Sequence, residues 1–145
     1  MTKAKVAVLT TSPATVLDDY HELLNLADYR QTIAQDVDTA LKINISWHTF
    51  FPASSTTPWQ LDGVIRALKR DGHPPENIHG CHNRTVVIDA HLGERENKQI
   101  NVTDAHGLRE VGALRGHLRL LRQAAGRYDV EDLIYQPRPG RNTEP

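Results

Sequence analysis

Cysteine is almost missing from this chain, with Cys81 the single example among 145 residues. One thiol excludes an internal disulfide, and no iron–sulfur cluster or multi-thiolate metal site can be built from this chain alone. Long apolar runs are missing too. Stretches such as Val6 to Leu9 fall far short of a membrane span or the core of an export signal. A cytoplasmic protein with no membrane partner is therefore expected, and the Asn-x-Ser/Thr triplets at Asn44, Asn83 and Asn101 read as chance matches. Charge of either sign in excess is also lacking, since the formal net charge is −1. A surface given over to nucleic acid or to an anionic membrane is not expected, and any basic site has to be local. No repeat period and no glycine-rich phosphate loop is visible.

What is present is a chain long enough for one domain that buries about two-thirds of its unfolded surface. Its organising stretch is Leu41 to Gln60, LKINISWHTFFPASSTTPWQ. Leu41, Ile43 and Ile45 alternate with Lys42, Asn44 and Ser46, the period of a strand with one apolar face. Lys42 and Asn44 then either face solvent at a sheet edge or line a pocket. A helix follows. Thr57 is placed to cap it, Pro58 suits its first position, and Gln60 completes a Thr-x-x-Gln capping box. Leu61, Val64, Ile65 and Leu68 repeat at helical spacing until Gly72, Pro74 and Pro75 stop it. The free N–H groups and positive dipole end of that helix, preceded by Ser54, Ser55 and Thr56, favour a phosphate or carboxylate.

Elsewhere, Lys5 to Thr10 (KVAVLT) reads as a first strand, and Val16, Leu17, Tyr20, Leu23, Leu24 and Ala27 form a helical stripe after Ser12-Pro13. Tyr29 to Asp38 reads as a loop with one further helical turn. Glu76 to Gly80 reads as a third strand, Val86 to Lys98 leans to helix despite Gly93, and Gln99 to Thr103 reads as strand. Strand, helix, strand at this spacing implies parallel pairing, with the Ser46–Thr57 and Gly80–Thr85 loops together at the carboxyl ends of the strands. From Val111 the texture changes. Lysine stops at Lys98, and Arg115, Arg119 and Arg122 flank a stripe of Val111, Leu114, Leu118, Leu121 and Ala125. This reads as a helix with a solvated basic face, or alternatively one that contacts RNA or an acidic partner. The last eleven residues are expected to be disordered.

The candidate chemistry is local. Lys42, Asn44, Ser55, Thr56, Thr57 and Arg84 are the expected contacts to an anionic small molecule, and His48 and His82 the acid/base candidates. His48, His79, Cys81 and His82 invite a metal, but their tight spacing does not match a structural zinc pattern, and no metal set is assigned. Trp47, Phe50 and Phe51 either anchor the loop in the core or stack on a planar ligand.

The phrases LKINISWHTFFPASSTTPWQLDGVI and GCHNRTVVIDAHLGEREN, with the Lys-x-Asn strand end, the Thr-Pro helix start and the polar loop after the next strand, resemble the domain of unknown function 362 family over roughly Lys5 to Val111. The resemblance implies an α/β fold and a redox link, since some members carry a ferredoxin-like segment. This chain has no such segment, and its cofactors are left unknown. Gly80 to Thr85 also resembles the glycine-histidine loop of nickel-pincer lactate racemases, which would make His82 a proton-transfer residue. The resulting expectation is an α/β fold, a small open and mostly parallel sheet with flanking helices, as an incomplete version of a larger domain. Residues 1–111 form the family-like domain, 112–134 an arginine-rich helical segment, and 135–145 the tail. The function expected is binding of a phosphate- or carboxylate-bearing molecule. The alternative is a truncated or frameshifted non-catalytic remnant.

Overall fold

A computed structural model of the chain describes residues 6–81 and 88–108. In chain order these form helix α1 (Val16–Leu26), a 3-10 turn (Tyr29–Gln31), strand β1 (Thr39–Lys42), helix α2 (Pro58–Arg70), a second 3-10 turn (Pro75–Asn77), strand β2 (Ile78–Cys81), and helices α3 (Ala90–Glu96) and α4 (Gln99–Ala105). The fold is a small α/β arrangement in which β1 and β2 pair in parallel, Thr39 opposite Ile78 and Lys42 opposite Cys81. Among the described residues no helix is long and apolar enough to cross a membrane.

Helix α2 is the hub. Its Leu61, Ile65 and Leu68 are buried with Ile43, Ile45, Ile78, Ile88 and Leu108 in a single cluster. Burial of a side chain of this size contributes about 1.5–3 kcal/mol each, so the stripe read from the sequence carries most of what holds the helix down. Helix α1 crosses α2 closely because Gly63 has no side chain: a Cβ there would run into the Tyr20 ring. Gly93, which interrupts the sequence pattern of α3, has the same purpose, since a Cβ would strike the Ile45 side chain. Helix α2 ends as expected. Gly72 takes φ +91°, in the left-handed region, and the His73 N–H reaches back to the Leu68 carbonyl at 3.1 Å.

Four expectations need correction. Lys5 to Thr10 does not form a first strand over its described part: Val6 and Val8 are 82% and 84% exposed, and residues 6–10 have no ladder partner. Valine-rich composition records how well a residue fits a half-buried pleated surface, and without a neighbour it specifies nothing. The organising strand spans Thr39–Lys42 rather than Leu41–Ser46. Its alternation nevertheless continues past the ladder, with Ile43 and Ile45 buried and Asn44 and Ser46 exposed, the final rung being Ile43 N–H to the Cys81 carbonyl at 2.7 Å. Gln99–Thr103 is helix, not strand. Gln99 and Thr103, four apart, are the buried face of α4, and because that face is polar, the alternation of Ile100 and Val102 mimicked a strand. The capping box is not made either, since no side chain caps α2.

The strand expected at Glu76–Gly80 is present as Ile78–Cys81, and the helix after Ile88 is α3, whose Leu92 N–H is capped by Asp89 Oδ1 at 3.0 Å. Val86 and Val87, the arginine-rich segment and the tail lie outside the described residues.

Candidate functional site

The loop leading into α2 meets the chain just beyond the carboxyl end of β1, and there it gathers most of the residues expected to bind a ligand. The strand end and the loop exchange backbone and hydroxyl bonds. Thr56 N–H donates to the Asn44 carbonyl at 2.9 Å, Asn44 N–H donates to Thr56 Oγ1 at 2.9 Å, and Ser46 N–H donates to Ser55 Oγ at 3.2 Å. The Asn44 amide donates to Ser46 Oγ at 2.7 Å. Ser55 and Thr56 thus act as acceptors in these bonds. Each hydroxyl still has a proton to give, and its oxygen is already oriented by an N–H.

Two further polar atoms at this end are buried without partners, Thr57 Oγ1 and Gln99 Oε1. Gln99 is fully buried, and its Nε2 donates to the Thr56 carbonyl at 2.6 Å, which sets its amide against the start of α2. The Lys42 ammonium donates to the Ile43 carbonyl at 2.9 Å and has no carboxylate partner among the described residues. Lys42 also stands opposite Cys81 in the ladder. Burial pushes the Cys81 thiol up, with the Lys42 charge pulling the other way.

His48 lies two residues beyond Ser46, further along the same loop. Its ring stacks on Trp47 with centroids 5.1 Å apart, and its Nδ1 is buried and unpartnered. The Trp47 carbonyl is held by the Asn97 amide at 3.2 Å, so this part of the loop rests on α3. Trp47, Phe50 and Phe51 are exposed and do not anchor the loop in the core. His82 and Arg84 lie outside the described residues. His79 pairs through Nε2 with Asp38 Oδ1 at 3.2 Å. Among the described residues no group of three or more His, Cys, Asp or Glu side chains could hold a metal.

A second polar cluster, at the opposite end of α2, was not legible in the sequence. Asp71, its side chain 5% exposed, accepts from the Tyr29 hydroxyl and from two nitrogens of Arg30, with His21 Nε2 at 2.8 Å. Burial by itself would raise the Asp71 carboxyl, but the hydrogen bonds from Tyr29 and His21 and the charges of His21 and Arg30 together outweigh it and hold the group below its ordinary range. The Tyr29 hydroxyl is pushed up to about 12, by burial first and then by its bond to the Asp71 carboxylate. Beside this cluster opens a cleft of about 320 Å³ lined by Arg30, Ile33, Ala34, Gln35, Asp36 and His73, with Asp71 also in its wall. His73 is 3% exposed and stacked against Tyr29, and its Nδ1 has no partner. His21, Tyr29 and the turn of Asp71 and His73 belong to three separate parts of the chain, and each looks ordinary in its own stretch.

No protein-family model matches the chain, and no curated protein and no solved structure matches it.

Proposed function

We propose that this protein binds a small anionic molecule, one bearing a phosphate or carboxylate, at the carboxyl ends of its two strands. The observation that carries the reading is the surplus of donors there. The hydroxyls of Ser55 and Thr56 accept backbone N–H bonds and keep their own protons, the Thr57 hydroxyl is buried without a partner, and the Lys42 ammonium has no carboxylate among the described residues. The first N–H groups of α2 add the positive end of its dipole, since no side chain caps them. Oriented donors without acceptors complement oxyanions and reject cations.

The resemblance to the domain of unknown function 362 family, through Lys42, Asn44 and Thr57-Pro58, supports the same end of the sheet; Arg84 is read as a further anion contact, and His48 or His82 as the acid/base group, from their residue types and their place in the two loops. The redox link that this resemblance implies would act on a ligand seated there.

The test is thermal unfolding in inorganic phosphate against chloride at matched ionic strength, with the wild type and Lys42→Ala in parallel. Saturable stabilisation of the wild type, about 2.7 kcal/mol at a hundredfold excess over Kd, is expected, and its loss in the variant. Because phosphate stabilises most proteins weakly by exclusion from their surface, equal stabilisation of wild type and variant would count against the site.

A further inference from the structure

We infer that the cleft at the carboxyl end of α2 is a second, separate site, which takes a small zwitterion such as a free aliphatic amino acid between the Asp36 carboxylate and the outward edge of the Arg30 guanidinium. The inference does not rest on the anion site, which lies at the other end of the same helix.

The argument starts from which groups are already committed. Both oxygens of Asp71 are used: Oδ1 meets His21 and Arg30, and Oδ2 meets Tyr29 and Arg30. Asp71 therefore has nothing left for a guest, and its role is to hold Arg30 still. The Arg30 fork spends Nε and Nη2 on Asp71, so its Nη1 protons point away from that carboxylate, and the side chain is 54% exposed. Asp36 lines the same cleft and has neither a hydrogen bond nor an ion pair among the described residues. His73, 3% exposed, stands in the wall of the cleft and fixes its floor by stacking on Tyr29.

The charges select the class of guest. A purely anionic molecule would face Asp36 as well as Arg30, and a purely cationic one would face the guanidinium. Only a molecule with both charges a short distance apart satisfies both groups. Ile33 and Ala34 offer an apolar wall for a short aliphatic side chain, and about 320 Å³ is at the small end of the volumes used for small molecules.

The experiment is a titration of the full chain, isotopically labelled, followed by NMR at the Arg30 and Asp36 amides and the His73 ring. The probes are L-valine, isobutyrate, which lacks the amine, and isobutylamine, which lacks the carboxylate. Saturable shifts at all three positions are expected with L-valine, with Kd on the order of 1 mM, and binding at least about tenfold weaker with either single-charge analogue, the loss expected for about 1.4 kcal/mol. Asp36→Asn, a change at an exposed position with circular dichroism as the check that the fold is kept, should weaken L-valine by a similar factor. The inference is overturned if L-valine gives no saturable shift, if isobutyrate or isobutylamine binds as well as L-valine, or if the Asp36→Asn variant binds it like the wild type.

Discussion

The two ends of α2 are built from similar materials and use them in opposite ways. At the carboxyl end, donors from His21, Tyr29 and Arg30 converge on one acceptor, the Asp71 carboxylate, and the bonds close on themselves. At the amino end, the hydroxyls of Ser55, Thr56 and Thr57 and the ammonium of Lys42 outnumber the acceptors, and their protons are left over. A closed network ties α1, the Tyr29 turn and α2 into one body. An open one is worth little to stability, and it is the end proposed to take the anion. The polarity of the helix suits the open end to negative charge, because the amino end of α2 carries the positive end of its dipole.

The largest expected effect comes from opening the closed end. Asp71→Asn leaves Arg30 without its carboxylate and should cost about 3 kcal/mol in chemical denaturation. It should leave phosphate binding at the far end unchanged, and a parallel loss of phosphate binding would show that the two ends are not independent.

The pH dependence sharpens the same contrast. Asp71 sits below its ordinary value of 3.8 in the folded protein, so its contribution is present above that value and is lost as the pH falls through the lower folded value. Tyr29 is raised from 10.0 to about 12, so its contribution is complete below the ordinary value and is lost as the pH rises toward the folded one. Stability of Tyr29→Phe measured through this alkaline window should lack the extra fall seen in the wild type.

Smaller effects belong to the open end. Thr56→Val removes the acceptor of the Asn44 N–H and should cost about 1 kcal/mol, with phosphate stabilisation reduced. Thr57→Val replaces an unpartnered buried hydroxyl by a methyl of the same shape. It should leave stability unchanged or raise it by up to about 1 kcal/mol, while phosphate stabilisation falls. Loss of stability in that variant would mean that the hydroxyl has a structural partner. Lys42→Ala should change unliganded stability least, within about 0.5 kcal/mol, because the ammonium is exposed and bonded only to a carbonyl.

How far these ends could be read from residues alone follows from how local their physics is. The start and stop of α2 were legible at Thr57-Pro58 and Gly72, because backbone rules act within a few residues. The rim was partly legible for the same reason: Asn44 and Thr56 are twelve positions apart along one strand and its loop. The orphaned Thr57 hydroxyl was not, since a capping motif looks the same in a sequence whether or not the bond forms. Nor was Gln99, which a strand-like reading of Gln99–Thr103 turned into part of a sheet. The Asp71 network joins positions up to fifty apart, and no spacing rule reaches that far.

By itself the order of residues determined the elements with strong periodicity, α1 and α2, the parallel pairing around α2, and the end of the sheet at which hydroxyls and a lysine would gather. These follow from side-chain period, backbone dihedral preference and chain connectivity, all of which are local. Only the tertiary structure decided which of those polar groups satisfy one another and which are left unspent. A hydrogen bond depends on distance and direction to within fractions of an ångström, and those are set by the packing of Tyr20 on Gly63 and Ile45 on Gly93 rather than by any one stretch of chain.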